Sequence, residues 1–128
     1  MSEAKPLVLI TGAAGDIGSA LAAALENDYT LVGLDRVDKH GPVSIIAADL
    51  TWDKSLARAF EVVRGTHGSH IASVIHLAAY FDFTGEDNEL YDKVNVQGTR
   101  SLLKALQGFD VEQLVFAGTM LVHAPTAP

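Results

Sequence analysis

Residues 11–18, which read Thr-Gly-Ala-Ala-Gly-Asp-Ile-Gly, constrain the fold of this chain more than any other segment. They follow a short apolar run and lead into a helical pattern, which predicts a tight turn between a buried strand and a helix. Gly12 permits the turn, Gly15 leaves the backbone open to a ligand, and Gly18 lets the helix pack closely on the sheet. Such a turn presents main-chain amides and the positive end of a helix dipole to an anion.

Short runs rich in leucine or β-branched residues recur along the chain, and helical patterns lie between several of them. The runs cover residues 7–11, 29–34, 43–47, 71–77 and 113–116, and the helical patterns cover 16–26, 53–63 and 88–106. Buried strands that alternate with helices pair in parallel through right-handed crossovers. We therefore predict an α/β fold of the Rossmann type, a doubly wound parallel sheet of about five doubly buried strands with helices on both faces. In the second helix, Thr51 is the expected N-cap and Gly65 the expected stop.

Length and composition narrow the class of protein. The 128 residues fit one domain, residues 1–128, with a Pro-containing tail at 123–128. The formal net charge of -7 disfavours nucleic acid and anionic membranes as partners, because the field of the protein repels polyanions. The absence of Cys excludes disulfide scaffolds and thiol catalysis and fits a cytoplasmic location. No apolar run is long enough for a membrane helix, and residues 65–70 predict a polar loop with no metal site.

The residues around the glycine turn favour a dinucleotide as the anion. Gly18 is followed by Ser19, with no Lys at that point, so the turn is not a triphosphate-binding P-loop. Asp35 closes the second predicted strand, where a carboxylate accepts both hydroxyls of an adenosine ribose, and this predicts NAD. Arg36 could neutralise a 2′-phosphate and keeps NADP as the less favoured cofactor. The alternatives are that the glycines mark only a tight turn and that Asp35 only caps it.

Four further motifs follow in order along the chain. They are Asp49-Leu50, His76-Leu77-Ala78-Ala79, Asn95-Val96-Gln97-Gly98-Thr99 and Val115-Phe116-Ala117-Gly118-Thr119. Together with the glycine turn, they resemble the extended short-chain dehydrogenase/reductases, the family of NAD-dependent epimerases and dehydratases. The resemblance covers the cofactor-binding part of that family and supports the predicted fold.

The resemblance implies roles for particular residues. Thr119 matches the catalytic Ser or Thr of the family. The cofactor-binding residues that we predict are Gly12, Ala14, Gly15, Asp16, Ile17, Gly18, Asp35, Arg36, Asp49, Leu50, Leu77, Ala78, Ala79 and Asn95. Structural alternatives stand beside them: Asp49 could cap a helix, and Thr119 could be a hydroxyl at a strand end. We interpret His76 as a core histidine, and we expect Asn95 to steady neighbouring backbone or hold a water, since Asn is a poor helix former.

The family's catalytic Tyr-x-x-x-Lys pair does not occur in this sequence, since the residues four after Tyr29, Tyr80 and Tyr91 are Gly33, Thr84 and Asn95. An unperturbed Tyr titrates near about pH 10 and is a poor base at neutral pH. The resemblance places that pair, a sixth strand and a substrate domain beyond residue 128. We therefore expect a C-terminally incomplete sheet and an NAD-binding portion of an enzyme that is inactive alone. The alternative is a non-enzymic dinucleotide-binding sensor or interaction module.

Two further segments bear on partners. Residues 81–92 carry five acidic side chains with Phe81, Phe83 and Leu90, and in the family this loop borders the substrate cleft, which favours a neutral or weakly anionic small-molecule substrate. A solvated loop that leads into a helix is the favoured alternative. Substrate binding is expected only when the remaining part of the fold is supplied. An unfinished sheet would also expose apolar residues at 113–116, which predicts a homo-oligomer.

Overall fold

Strands and helices alternate along the chain as the sequence predicts. The computed structural model describes residues 4–36, 43–80, 84 and 86–118. In chain order the elements are β1 Leu7–Thr11, α1 Asp16–Leu25, β2 Thr30–Asp35, β3 Ser44–Ala47, α2 Asp53–His67, β4 His70–Ile71, β5 Ser73–His76, a π-helix Tyr91–Gly98, α3 Thr99–Ala105, a 3₁₀ turn Leu106–Gly108, β6 Asp110–Val111 and β7 Leu114–Phe116.

The main sheet has five parallel strands in the order β3-β2-β1-β5-β7. Strand β1 lies at the centre, with Leu9 in register with Val32 on one side and Val74 on the other. The chain fills one side of β1 first and then crosses to the other side, so the strand order reverses between β1 and β5. In open parallel sheets a ligand crevice forms at that reversal, beyond the carboxyl ends of the strands. The predicted doubly wound sheet of Rossmann type is confirmed.

Alternate residues of β1 belong to two separate apolar cores. Leu7 and Leu9 pack in the core that contains buried residues of α2 and α3, whereas Val8 and Ile10 pack with Ala22 of α1. Side chains of a strand point to opposite faces in turn, so this pattern places α1 on one face of the sheet and α2 with α3 on the other. The predicted helices on both faces are confirmed.

The prediction that every strand is doubly buried is wrong for β3 and β7. Each has a single neighbouring strand in the described sheet, and residues Leu114 and Phe116 are 46% and 61% exposed. The predicted strand 71–77 is also divided, because His70–Ile71 pairs with Asp110–Val111 in a separate two-stranded sheet. The exposed apolar edge predicted at 113–116 is confirmed, whereas the apolar run at 43–47 identified β3 as a strand but not its place at the other edge. Self-association through β7 stays a prediction.

The predicted helix boundaries need three corrections. Trp52, and not Thr51, occupies the N-cap position of α2, and the Thr51 hydroxyl instead donates a hydrogen bond to Asp49. Helix α2 continues through Gly65 and ends at His67, and its C-cap is Gly68, whose φ of 85° is a backbone conformation that favours glycine. Residues 65–67 are consequently its last turn and no part of a polar loop. The predicted helix 88–106 is in fact a π-helix, then α3, then a 3₁₀ turn.

Features of membrane proteins and of metal sites are both absent from the described residues. None of the helices there combines the length and apolar character that crossing a membrane requires. No group of three His, Cys, Asp or Glu side chains in that part of the chain is arranged to hold a metal ion.

An exposed histidine links the two short strands at the end of the sheet opposite the crevice. His70 Nδ1 lies 2.9 Å from Asp110 Oδ2, and His70 Nε2 lies 2.9 Å from Glu112 Oε2. Bonding to Asp110 and then to Glu112 raises the pKa of His70 above its ordinary value, because both carboxylates favour the imidazolium. Protonated His70 therefore ties β4 to the β6 region.

This arrangement predicts a stability difference that depends on pH. The folded pKa of His70 is raised, so its contribution is fully present below the unfolded pKa of about 6.5 and is lost as pH rises through the folded pKa. His70→Gln should lower the midpoint of thermal unfolding more at about pH 6 than at about pH 9. His67→Gln, at the exposed end of α2, is the control. An equal loss at both pH values would contradict the assignment.

Candidate functional site

A cleft of about 360 Å³ lies at the carboxyl ends of the central strands, where the strand order reverses. That volume is within the range of small-molecule sites. Nine of the predicted cofactor-binding residues line it: Gly12, Gly15, Asp35, Arg36, Asp49, Leu50, Leu77, Ala78 and Ala79. Residues from four separate segments of the sequence are thus brought to one surface.

The turn after β1 is built on two close approaches. Gly12 has a φ of 69°, and a β-carbon there would lie 2.9 Å from the main-chain nitrogen of Ala78. A β-carbon on Gly18 would lie 2.5 Å from the carbonyl oxygen of Gly12. Any side chain at either position would force the backbone apart. The structure agrees with the tight turn predicted at Gly12, whereas the close approach at Gly18 is between α1 and this turn and not between α1 and the sheet as predicted.

Gly15 differs from those two glycines because its open side faces free space. A β-carbon on it would have one neighbour, the Gly12 carbonyl oxygen at 3.4 Å, and its φ and ψ of -75° and 176° suit any residue. Gly15 lines the cleft and occupies the N-cap position of α1, where no side chain in the described residues caps the helix. The first amides of α1 and its dipole are therefore available to an anion.

Asp35 is attached to the glycine turn. Its Oδ2 accepts a hydrogen bond from the Ala14 amide at 2.9 Å, and its Oδ1 accepts one from the Arg36 amide at 2.7 Å. The Asp35 carboxylate therefore caps main-chain amides of the turn, as the alternative interpretation of Asp35 predicted. Each carboxylate oxygen has two lone pairs, so the same group can still accept hydroxyl donors from the cleft.

Asp49 presents a second carboxylate to the cleft. Its Oδ1 accepts hydrogen bonds from the Thr51 hydroxyl at 2.7 Å and the Thr51 amide at 2.9 Å, while its own amide donates to Ser55 Oγ at 3.0 Å. The Thr51 hydroxyl holds the pKa of Asp49 below its usual value. Asp49 thus fixes a turn ahead of α2 and stays ionised at the cleft, but it is not the N-cap of that helix.

His76 is a buried residue at the end of β5, with 2% of its surface exposed, as the interpretation of it as a core histidine requires. Its Nδ1 lies 2.6 Å from Thr11 Oγ1, and its Nε2 lies 2.9 Å from Thr99 Oγ1. Burial lowers the pKa of the imidazole. Thr11 Oγ1 also accepts hydrogen bonds from the amides of Leu77 and Ala78, at 3.0 and 3.1 Å.

Asn95 steadies backbone, which is one of the two tasks expected of it. Its Oδ1 accepts from the Tyr80 amide at 2.7 Å, and its Nδ2 donates to the Tyr80 carbonyl at 3.0 Å. Asn95 does not line the cleft, whereas Tyr80 does. Asn95 therefore reaches the cleft only through Tyr80, whose main chain it holds.

Four other predicted residues belong to the turn or the first turn of α1 without lining the cleft: Ala14, Asp16, Ile17 and Gly18. Ile17 is 71% exposed. Thr119 and the tail 123–128 lie outside the described residues.

Seven residues line the cleft that the sequence did not predict as cofactor-binding: Thr11, Leu34, Ala48, Thr51, Tyr80, Leu90 and Val94. Thr11 had a signal, a polar residue that ends an otherwise apolar strand, and Leu90 and Val94 had another, a spacing of one helical turn.

The family of the chain follows from a comparison with known proteins. The model of the NAD dependent epimerase/dehydratase family matches residues 8–128. This chain belongs to that family. The resemblance seen in the five motifs is confirmed. Residues of three of those motifs meet at the cleft: Gly12 and Gly15, Asp49 and Leu50, and Leu77–Ala79.

Individual relatives agree with the family. L-arabinose 1-dehydrogenase (NAD(P)(+)) of Haloferax volcanii is 33% identical over 116 residues, which are 91% of this chain and 42% of that protein. The solved UDP-glucose 4-epimerase of Thermus thermophilus in complex with NAD has a TM-score of 0.73 and 33% identity over 88% of this chain and 37% of its own. A short-chain dehydrogenase/reductase superfamily protein of Agrobacterium tumefaciens with bound NAD has a TM-score of 0.69 and 31% identity over 86% of this chain and 31% of its own. The chain spans less than half the length of each.

The glycine geometry predicts two different costs of adding one methyl group. Gly18→Ala should lower the free energy of unfolding by about 1–3 kcal/mol, because its β-carbon would overlap the Gly12 carbonyl. Gly15→Ala should lower it by no more than about 1 kcal/mol, the cost of a poorer N-cap residue. Urea denaturation of both variants checks the order. A Gly15 variant less stable than the Gly18 variant would contradict it.

Proposed function

We propose that this chain binds NAD in the cleft and serves as the cofactor-binding part of an NAD-dependent epimerase, dehydratase or dehydrogenase. The observation that carries the proposal is the pairing of the open turn at Gly15 with the Asp35 carboxylate, which is bonded to that turn on the same cleft. An anion and a diol are the two features that these groups recognise, and a dinucleotide offers both next to each other.

The lining residues fit the successive parts of NAD. The uncapped amides of α1 beside Gly15 suit the diphosphate, and Asp35 suits the ribose hydroxyls. Asp49 can accept a hydrogen bond from the adenine amino group, with Leu50 beside it. The small side chains of Ala78 and Ala79 leave a flat main-chain wall on the other side of the cleft. Asp35 opposes a 2′-phosphate by charge, which favours NAD over NADP, although Arg36 also lines the cleft.

Bound NAD supplies a hydride acceptor, and its reduced form a hydride donor. The residues of this chain would hold it, orient it against the wall at Leu77–Ala79, and exclude water from that side. We further propose that Thr119 polarises the oxygen of the substrate. The sequence contains no Tyr-x-x-x-Lys pair, so we propose that the chain by itself binds the cofactor without turning over substrate.

The substrate class that we propose for the whole enzyme is a sugar-like molecule with a hydroxyl or carbonyl group at the reacting carbon. The names of the relatives support it, since one is an arabinose dehydrogenase and another a UDP-glucose epimerase. Glu86 and Glu89, near the cleft residue Leu90, are exposed carboxylates that would repel a diphosphate-linked sugar. A neutral sugar is therefore the favoured member of the class.

Cofactor choice can be measured directly. Calorimetric titration should show tighter binding of NAD than of NADP, because only NADP brings a phosphate against Asp35. Asp35→Ala should weaken NAD by roughly 10- to 100-fold, the value of hydrogen bonds to a charged group, and should narrow the preference for NAD. Gly15→Ala should weaken both cofactors, since Gly15 lines the cleft where the diphosphate is proposed to lie and a methyl group there takes up space.

Asp28→Ala is the matched control for that titration. It removes the same charge from an exposed position between α1 and β2, away from the cleft, and should leave both affinities unchanged. Equal binding of NAD and NADP that Asp35→Ala does not alter would refute the role of Asp35. Binding of neither cofactor would refute the proposed function.

Turnover can be tested once binding is established. The chain incubated with NAD and neutral sugars such as L-arabinose should give no sustained rise in the absorbance of the reduced nicotinamide, because no side chain of the sequence forms the proton-accepting Tyr–Lys pair. The titration on the same sample shows that the cofactor is bound. Sustained reduction by this chain alone would disprove the claim of inactivity.

A further inference from the structure

The hydrogen bonds around Thr11 determine where each proton of the His76 cluster lies. Thr11 Oγ1 accepts from the amide of Ala78 and from the amide of Leu77, which is shared with the Thr11 carbonyl oxygen 3.2 Å away, and these two donors occupy its lone pairs. Its own hydrogen must therefore be donated, and His76 Nδ1 lies 2.6 Å away. Nδ1 is consequently an acceptor and carries no proton.

The other side of the imidazole leads to the same tautomer independently. Thr99 Oγ1 donates its hydrogen to the carbonyl of Asn95, 2.7 Å away and one helical turn earlier. Thr99 Oγ1 can then only accept from His76 Nε2, which lies 2.9 Å from it. Nε2 therefore carries the proton. The hydrogen bonds of Thr11 and those of Thr99 therefore both require a neutral His76 with its hydrogen on Nε2.

We infer that His76 is a positioning residue for the cofactor cleft: neutral His76 holds the Thr11 hydroxyl so that Thr11 fixes the main-chain amides of Leu77 and Ala78 on the cleft wall. This inference rests on the proposed function, because the wall matters only when a cofactor lies against it. His76 itself does not line the cleft, whereas Thr11, Leu77 and Ala78 do. The imidazole acts on the ligand through them.

Protonation of His76 is incompatible with this arrangement. A hydrogen on Nδ1 would point at Thr11 Oγ1, whose lone pairs already serve the two amides, so the Thr11 bonds to Leu77 or Ala78 would have to break. Cofactor binding should therefore require neutral His76, and affinity should fall in acid. Burial lowers the pKa of His76, so the neutral imidazole and its hydrogen bond to Thr11 are favoured at neutral pH.

No charged residue of the described neighbouring elements offsets this requirement. Strands β1 and β7 carry no ionisable side chain. The helical segment that contributes Thr99 carries four charged residues, all exposed: Asp92, Lys93, Arg100 and Lys104. The charged residues of the cleft are Asp35, Arg36 and Asp49. A variant of His76 that does not titrate separates their effect from its own.

The test compares two variants in NAD titrations between about pH 4 and pH 8, a range that extends well below the ordinary histidine pKa because burial lowers that of His76. His76→Asn places an amide oxygen where Nδ1 was and cannot be protonated, so it should retain binding at neutral pH and lose the fall in acid that wild type shows. That fall should approach about tenfold per pH unit below the pKa of His76. His76→Leu leaves the Thr11 hydrogen without an acceptor and should bind about tenfold more weakly across the whole range.

The tautomer can be measured without any ligand. Nitrogen-15 NMR of the wild-type chain at neutral pH should show one imidazole with Nδ1 unprotonated and Nε2 protonated, and the spectrum of His76→Asn identifies it by its absence. The opposite tautomer would overturn the inference, as would an acid fall in NAD affinity that is the same in His76→Asn and wild type. If wild type fails to bind NAD at neutral pH, both the proposed function and the role of His76 in cofactor binding are refuted. The NMR measurement tests the hydrogen-bond assignment independently of that result.

Discussion

The contact between the start of helix α1 and the carbonyl of Gly12 is the constraint on which the rest of the structure depends. The helix can begin directly beyond β1 only because Gly18 has no β-carbon to meet that oxygen. Because α1 begins directly beyond β1, its N-terminus faces the crevice at the carboxyl end of the sheet. The left-handed turn at Gly12 brings the main chain of Ala78 against the same bend. One turn therefore places a helix dipole, uncapped amides and the wall at Leu77–Ala79, which follows β5, around a common space.

The polar groups of the cleft are complementary in kind. Amides near Gly15 attract negative charge, whereas the carboxylates of Asp35 and Asp49 attract hydrogen-bond donors, and a ligand that carries only one of these features would leave the other groups unpaired. Both carboxylates are held in advance by bonds from Ala14, Arg36 and Thr51. Little rearrangement is then needed when a ligand arrives, and preorganisation of this kind reduces the entropic cost of binding.

The sequence predicted those parts of the site that are local in the chain and missed those that join distant segments. The glycine turn and Asp35 could be identified because strand, turn and helix signals stand beside them. The partners of His76 could not be identified, since Thr11 precedes it by 65 residues and pairing across strands leaves no mark in a single sequence. The edge position of β3 was missed for a related reason: an apolar run indicates a strand, but burial depends on what covers it. The π-helix was missed because helical periodicity does not distinguish a π-helix from an α-helix over eight residues.

The small residues on the cleft wall explain why so many hydrogen bonds converge behind it. Alanine side chains such as those of Ala78 and Ala79 are too small to fix a segment by packing, so the position of this wall must come from its main chain. Thr11 holds the amides of Leu77 and Ala78, and Asn95 holds both the amide and the carbonyl of Tyr80. The segment is thus fastened at both ends, to β1 and to the helical segment, while its middle stays flat and free of bulky groups. A surface that must lie against a planar ligand needs both properties, and only main-chain fastening provides them together.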